Sequence, residues 1–472
     1  MNRFRISEGQ MKTLVSEGLK GGGSWCDLYF EDTVYFDLLL RDSEVSSGGY
    51  HQDYGCGIRV LSGEKTGYAY SESTDFPALM NAAKAAASIA SGNCRPESGN
   101  CSTAAGTAAG TSLTNHYPQQ SDWRDSEASG FVPVLKRIES EIRKRDSRVS
   151  KVVAMLSWSV SEILMYNSLG ELTQDSRPLG SLSVSTVFIH NGRTENKRVA
   201  RSFRCGAEMV TDTLVEELVS STVKGVDEMF EAKRPKGGVM NVVMGAGASG
   251  ILLHEAMGHA FEADFNRKGQ SIFSDRMGRR ICRKGISIID DGTIDGNRGA
   301  CNYDDEGVPG QKTYMVADGV LTSYLHDRIS AGYFGVSPTG NGRRESFRYN
   351  PIPRMRATYM ENGPDGTLED LIGSVRKGIY VDQFANGQVK IGEGDFTFYV
   401  KSGFLIENGR LTMPVKDINI IGNGPKALAD ITAVAGDLKI DDSTWTCGKE
   451  QSVAVSCGIP SVLVKGLTVG GD

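Results

Sequence analysis

The first hydrophobic pattern in the chain has helical spacing. Its apolar positions predict one amphipathic helix; they are Ile6, Met11, Leu14, Val15 and Leu19. Short runs rich in β-branched and aromatic residues follow and predict strands at 25–30, 33–38, 55–60 and 66–70. The last two runs flank a Ser62-Gly63 turn, which favours a hairpin. The alanine-rich residues 76–90 predict a second helix.

Changes in composition divide the rest of the chain. Residues 91–121 are rich in Gly, Ser, Thr, Ala and Asn, which is typical of a loop or linker. Strands at 151–166 and 179–190 and a long helix at 208–232 are expected after it, and glycine and short strand-like runs dominate beyond residue 236. The fold class is therefore α+β. The predicted domains are an N-terminal α+β domain with its linker (1–121), a central α+β region (122–236) and a sheet-rich C-terminal catalytic domain (237–472).

Length and charge narrow the functional classes. A chain of 472 residues is expected to form about two or three domains. A net charge of -6 gives no general attraction to nucleic acid or to an anionic membrane, so neither is an expected partner. The opening residues lack the apolar core of a signal peptide, which favours the cytoplasm. The nine cysteines are scattered along a long chain and are expected to be mostly reduced thiols.

Two of the six histidines lie close together, at His254 and His259, and Glu255 follows the first. Zinc peptidases often place two histidines four residues apart on one helical face. Here the spacing is five, which in a regular α-helix separates the side chains by roughly 140°. A wider π turn would bring them back to one side. Gly258 lies inside this segment, where a backbone distortion is least costly, so a bulged turn is predicted.

This arrangement indicates a metal site, although the two histidines could also be ordinary core or surface residues. Two neutral imidazoles and one anionic ligand would leave an open position for water, and Glu255 is placed to accept a proton from that water. The local sequence does not supply the third ligand. Capping or surface pairing is expected for Glu262 and Asp264, and an exposed position for His326. On spacing alone, Cys447 is one of nine cysteines and is expected to be inert.

Several separated motifs resemble the TldD/PmbA family, on its TldD side. They are HEAMGHAFEADFNRKG (254–269), DDEGVPGQ (304–311), PTGNGRRES (338–346), CGKE (447–450), GLTVGG (466–471) and, near the N-terminus, GCGIRVLSGEKTGYAY (55–70). The resemblance implies a metalloprotease that cleaves short or unfolded polypeptides. It also implies that His254, His259 and Cys447 are metal ligands and that Glu255 is the general base.

The resemblance further implies a cofactor and partners. The cofactor is one divalent metal per chain, with zinc expected and iron or cobalt also suited to these ligands. The partner is a second chain, in a homodimer or in a heterodimer with a TldE/PmbA paralogue. Family members were first described as modulators of DNA gyrase, which is interpreted as a consequence of proteolysis.

Two further motifs have open interpretations. Arg343 and Arg344 are either substrate-binding residues or members of structural ion pairs, with the structural interpretation slightly favoured. The acidic run 304–306 either supports the histidine N–H groups or forms an acidic loop.

Two other functional classes remain. The run GAGASG (245–250), with Asp264 downstream, matches a dinucleotide fingerprint and would suit a nicotinamide-dependent oxidoreductase. That class is less favoured because the βαβ pattern does not continue. A non-catalytic, peptide-binding regulatory subunit is the other alternative. The intact histidine motif and Cys447 favour the enzyme instead.

Overall fold

The computed structural model describes residues 1–91 and 114–470, so residues 92–113 of the predicted linker lie outside the described residues. The first half of the chain contains six strands and five α-helices among these residues. They are α1 (Glu8–Leu19), β1 (Trp25–Arg41), β2 (Glu44–Ser62), β3 (Lys65–Ser71), α2 (Phe76–Ser91), α3 (Val132–Arg145), β4 (Val149–Asn167), β5 (Leu172–His190), β6 (Arg193–Phe203), α4 (Asp212–Val223) and α5 (Val226–Glu231).

These strands form one antiparallel sheet in the order β3-β2-β1-β4-β5-β6. The sheet combines strands from before and after the predicted linker, so the segments 1–121 and 122–236 share a layer. β1 is one continuous strand where the sequence predicts two, and its pairing with both β2 and β4 spans that break. The hairpin of β2 and β3 is confirmed.

The long helix predicted at 208–232 is wrong. The chain leaves α4 at Lys224, which is extended, and Gly225 adopts a left-handed conformation with φ of 73° before α5 begins. Glycine adopts this conformation at no steric cost, so the helix can break here. The break is not visible in the sequence, because the apolar periodicity continues across Gly225.

The C-terminal half is rich in short strands. Its elements are β7 (Gly238–Met244), α6 (Gly250–Leu253), α7 (Ala263–Arg267), β8 (Ile288–Asp291), β9 (Lys312–Ala317), β10 (Val320–Leu321), α8 (Arg328–Phe334), β11 (Gly342–Arg343), β12 (Ile352–Pro353), β13 (Ala357–Met360), α9 (Leu368–Gly373), β14 (Lys377–Val389), β15 (Asp395–Glu407), β16 (Arg410–Val415), β17 (Ile418–Asn423), α10 (Gly424–Ala429), β18 (Ile431–Val434), β19 (Lys439–Asp441), β20 (Thr446–Lys449), β21 (Gln451–Ala454), β22 (Ser456–Ile459) and β23 (Val462–Gly470).

Two mixed sheets enclose the main core of this half. One has the order β10-β9-β8-β13-β22-β19, and the other contains β14-β7-β23-β17-β15-β16 with β18 beside β23. Their buried side chains form one cluster with those of α6 and the turn that follows it. The histidine motif therefore lies inside the core, held between two sheets. The α+β class and the sheet-rich C-terminal half are confirmed.

None of the helices in the described part of the chain has the length and apolar character needed to cross a membrane. The division into three domains stays a prediction.

Candidate metal centre

The segment after α6 contains the widened turn that the sequence predicts. Residues His254–Gly258 form a π-helical turn, in which the N–H of His259 donates to the carbonyl of His254. This turn has one residue more than an α-helical turn, so side chains five positions apart return to the same side. The two imidazole centroids lie 5.3 Å apart, with their planes at 78°. The prediction of a bulged turn is confirmed.

Gly258 is closely packed, and its backbone angles are ordinary. Its φ of -55° and ψ of -50° are ordinary helical values. A Cβ atom at this position would lie only 2.1 Å from Sδ of Met355, whose side chain is fully buried. From the sequence, glycine is expected here because it eases a backbone distortion. The structure shows ordinary helical angles and close packing instead, so that reason is wrong.

Cys447 reaches the same place from the far end of the sequence. It lies on β20, and its Sγ is 3.2 Å from Nε2 of His259, a residue 188 positions earlier. The potential ligand atoms of His254, His259 and Cys447 all lie within 4.8 Å of one another, and all three residues are buried. The structure thus brings together the three residues that the family resemblance indicates.

The unsatisfied atoms of this cluster fit a metal ion. Both ring nitrogens of His254 are buried, and neither has a hydrogen-bond partner among the described residues. Leaving such a group unpaired costs about 1–3 kcal/mol, which a bond to a cation would offset. Two imidazoles and one thiolate also match the donor set of a zinc site with a fourth position open.

Electrostatics favour the thiolate form of Cys447. Burial by itself would raise the pKa of this thiol, but the adjacent His254 and His259 rings lower it to about 4. Burial likewise opposes a charge on His259, while Glu262 and Cys447 raise the pKa of this imidazole well above its usual value. A thiolate is the form in which cysteine binds metal.

Glu262 holds the ring of His259. The Nδ1–H of His259 donates to Oε2 of Glu262 at 2.9 Å, and the glutamate side chain is fully buried. Burial would raise the pKa of Glu262, but Lys449 and then His259 lower it to about 2. The capping or surface role expected for this residue is wrong, because its depth in the fold is not visible in the local sequence. Its contact leaves Nε2 of His259 directed at the cysteine.

The hairpin of β20 and β21 is fastened to this glutamate. Lys449, two residues after the cysteine, lies 3.0 Å from Glu262 and 2.8 Å from Asp264. The fully buried Arg354 donates to the carbonyls of Cys447 and Gln451, at 2.7 and 2.8 Å, and so forms hydrogen bonds with both strands of the hairpin. One set of buried charges therefore positions the histidine and the cysteine together.

Glu255 is the accessible member of the cluster. Its side chain is 25% exposed, compared with 6% for His259, and its Oε2 lies 3.9 Å from Nε2 of that histidine. A carboxylate in this position borders both the buried ligand atoms and solvent. This is the placement needed for a group that exchanges protons with water beside a metal.

The two candidate substrate-binding arginines lie inside the fold. Arg343 donates to the carbonyls of Met355 and Ala454, and Arg344 donates to the carbonyl of Asp305 and stacks over the ring of Tyr29. Both are structural contacts. Substrate binding by these arginines stays a prediction that no contact among the described residues supports.

The acidic run 304–306 does not support the histidines, so that interpretation is wrong. Asp304 accepts from backbone N–H groups of its own loop, Asp305 pairs with Arg177, and Glu306 pairs with Arg59 at 2.6 Å. Asp305 and Glu306 therefore connect the C-terminal half to the N-terminal sheet.

His326 is buried and not exposed, which is a further correction. Only 3% of its surface is accessible, and its ring packs against Tyr324 and Phe334. Burial lowers the pKa of this imidazole to about 4, so it is neutral at physiological pH.

The glycine-rich run 245–250 serves packing. A Cβ at Gly250 would lie 2.6 Å from the backbone of Gly458 on β22, and one at Gly245 would lie 2.7 Å from the hydroxyl of Tyr380. β7, which precedes the run, is parallel to β14 but antiparallel to β23. Asp264 is held by Lys449. This is not the series of parallel βαβ units that a dinucleotide site requires, so the structure does not favour the oxidoreductase class.

Comparison with known proteins places the chain in a metallopeptidase family. Three family models match consecutive parts of the chain. They are described as PmbA/TldA metallopeptidase domain 1 (residues 26–90), central domain (122–225) and C-terminal domain (237–471). The chain belongs to the PmbA/TldD metallopeptidase family.

Relatives named as metalloproteases cover nearly the whole chain. A metalloprotease TldD homolog from Haemophilus influenzae is 37% identical over 95% of this chain and 93% of its own length. A metalloprotease from Methanothermobacter thermautotrophicus is 30% identical over 92% of each chain.

Solved structures share the fold. A candidate modulator of a DNA gyrase from Thermotoga maritima superposes with a TM-score of 0.78 at 21% identity, covering 98% of this chain and 100% of its own. TldE from Thermococcus kodakarensis gives a TM-score of 0.76 at 18% identity, with coverage of 98% and 100%.

Proposed function

We propose that this chain is an endopeptidase that hydrolyses peptide bonds in short or unfolded polypeptides with the help of a bound metal ion. The observation that carries the proposal is the convergence of His254, His259 and Cys447 within 4.8 Å beside the partly exposed Glu255. The three buried side chains would hold the ion, and Glu255 would act as the general base.

The proposed chemistry divides between the ion and the protein. A divalent ion at this site would polarise the peptide carbonyl and make water more acidic. Glu255 takes the proton from that water and delivers it to the nitrogen of the departing amine. Glu262 keeps the Nδ1 proton of His259 in place, so that Nε2 is free to act as a ligand.

Zinc is the proposed metal, and iron or cobalt would suit the same ligands. The donor set of two imidazoles and one thiolate supports zinc. A relative from Saccharolobus solfataricus, named a zinc metalloprotease TldD homolog, is 33% identical over 54% of this chain. That name supports the choice of metal for testing.

The proposed partner is a second chain of the same fold, either a copy of this chain or a TldE/PmbA-type paralogue. The likeness to a protein named TldE is the reason for testing a paralogue as well as a second copy. Activity should therefore be measured on the chain alone and together with such a partner.

A peptide-cleavage assay tests this function. The wild-type chain and Glu255→Gln, which preserves the size of the side chain, are compared on an unstructured peptide, with and without the partner chain. We expect the wild type to cleave the peptide and a chelator to stop it. Loss of the general base should slow cleavage by a factor of about 10²–10⁴.

Two outcomes would contradict the proposal. Equal rates for Glu255→Gln and wild type would remove the proposed base. A wild-type chain that holds metal but never cleaves the peptide, alone or with the partner, would instead support the non-catalytic, peptide-binding subunit.

A further inference from the structure

The side chain of Trp445 lies on the same face of the β20 and β21 hairpin as the proposed ligand Cys447. Backbone pairing continues one residue beyond β20, because the N–H of Val455 donates to the carbonyl of Trp445 at 3.2 Å. Side chains alternate between the two faces of a strand, so Trp445, Cys447 and Lys449 share one face. That face is turned to the metal centre, since the cysteine on it contacts His259.

The two faces of the hairpin differ in burial. On the face that carries the cysteine, Val453 and Val455 are buried, with 6% and 2% of their surface accessible. The opposite face carries the exposed residues Thr446 and Ser452. Trp445 packs against the main core of the C-terminal half but is only partly buried. Part of its surface therefore stays accessible on the side of the hairpin that holds the ligand.

Three contacts hold Trp445 in place. Its indole N–H donates to a carboxylate oxygen of Asp441 on β19. Its carbonyl accepts from the N–H of Val455 and from Nε of Arg298, at 3.2 and 2.9 Å. Arg298 also donates to the hydroxyl of Ser202 on β6 at 2.6 Å, so this tryptophan lies where the N-terminal sheet meets the C-terminal half. A side chain that is already ordered loses little entropy when a ligand packs against it.

The carboxylate that holds the indole lies near the proposed base. Asp441 is paired with Cys457 in the sheet. Burial raises the pKa of the Cys457 thiol well above its usual value, and the charges of Asp441 and Glu255 add to this effect. The acceptor of the indole N–H and Glu255 are therefore both close to one buried residue.

Strand geometry brings Trp445 within reach of a bound peptide. Residues two apart in a strand are separated by about 7 Å, so the backbone of Trp445 lies about this far from that of Cys447. An extended substrate has the same spacing along its own chain. With its scissile carbonyl beside the ligand atoms, such a substrate would place a side chain next to that bond against the ring.

We infer that Trp445 forms an apolar wall of the substrate-binding surface, so that the peptidase favours an aromatic or large aliphatic side chain next to the cleaved bond. This inference rests on the proposed function and names its substrate class. The ring offers apolar surface that a substrate side chain can cover, and a face on which an aromatic side chain can stack. A small polar side chain such as that of serine gains neither contact.

Peptide binding to the full-length, metal-loaded Glu255→Gln variant tests this inference without requiring turnover. The probes are a blocked alanine pentapeptide with phenylalanine at its centre and the same peptide with serine there, both titrated by calorimetry. We expect the phenylalanine peptide to bind at least about tenfold more tightly. Adding Trp445→Ala should remove most of this preference, whereas Trp445→Phe retains a ring and should preserve it.

The matched control is Tyr50→Ala, which removes a ring that is 66% exposed on β2 and should leave the preference unchanged. The metal content of each variant is measured first, and Trp445→Gln takes the place of the alanine variant should that variant lose metal.

Two results would overturn the inference. One is equal binding of the two peptides, or no binding of either, by Glu255→Gln alone. The other is an unchanged preference after removal of the ring of Trp445. Cleavage of the same peptides by the wild type separates this inference from the proposed function. Cleavage without a preference removes only the role of Trp445, and a binding preference without cleavage removes only the peptidase activity.

Discussion

At the scale of single residues, Cys447 differs from the other thiols of this chain. All seven cysteines of the described residues are free. Burial raises the pKa of Cys205 and of Cys282 to about 12, whereas the histidines beside Cys447 lower its pKa to about 4. A buried thiol becomes a good metal ligand only where positive charge or an ion offsets burial.

This difference predicts a pH dependence for the metal-free protein. The pKa of Cys447 is lower in the folded state than the value of about 8.5 in an unfolded chain. The stability it contributes is therefore complete above pH about 8.5 and is lost as the pH falls through about 4. Ultraviolet absorbance of the thiolate should disappear near pH 4 in the wild type and be absent at neutral pH in Cys447→Ser. A wild-type thiolate signal that appears only above pH about 8 would contradict this assignment.

The errors of the sequence interpretation at this scale have one physical cause. Glu262 and His326 are polar residues, yet both are buried, and burial depends on strands far away in the sequence. The role of Cys447 is equally invisible locally, because its partner His259 is 188 residues away. Only the resemblance to a family indicated this residue.

At the scale of elements, a turn and a hairpin are joined by buried charges. Glu262 contacts both His259 on the turn and Lys449 on the hairpin, while Asp264 contacts the lysine. Of the two carboxylates, Glu262 contacts a proposed ligand and also lies 3.7 Å from Arg354, whereas Asp264 contacts the lysine.

This difference predicts unequal effects for two matched substitutions. Glu262→Gln should weaken metal binding by about 10–100-fold, because His259 loses the charged acceptor that orients its ring. Asp264→Asn should change metal affinity much less, since it disturbs only Lys449. Competition with a metal-binding dye measures both affinities. Equal losses in the two variants would mean that Glu262 acts only through the lysine.

The turn shows how much of the local structure can be predicted from the sequence around it. The spacing of five between His254 and His259 is enough to predict the π turn, because only a wider turn places both rings on one side. By contrast, the break at Gly225 and the continuity of β1 depend on backbone conformation and strand pairing, which side-chain periodicity does not encode.

At the scale of the whole molecule, buried ion pairs join the two halves. Arg59 on β2 pairs with Asp27 and with Glu306, each at 2.6 Å, and neither Arg59 nor Glu306 has an exposed side-chain surface. Arg177 on β5 pairs with Asp305. The sheet and the C-terminal half therefore depend on each other for charge compensation.

Removing one partner should destabilise the whole chain. Arg59→Met leaves the buried Glu306 without its cation and Asp27 with only the more distant Arg344, and should lower the free energy of unfolding by about 3–5 kcal/mol. The control is Lys12→Gln, which removes an exposed pair with Glu8 and should leave the unfolding midpoint unchanged. Urea unfolding measures both. A midpoint for Arg59→Met equal to that of the control would show that the halves are not coupled in this way.

Metal content tests the central claim most directly. Elemental analysis of purified protein should find one divalent ion per chain in the wild type and in Glu255→Gln, because the base does not hold the ion. His254→Ala and Cys447→Ala should lose it while near-ultraviolet circular dichroism shows that they remain folded. A folded Cys447→Ala variant with wild-type metal content would contradict the account, since the thiolate could then not be a ligand.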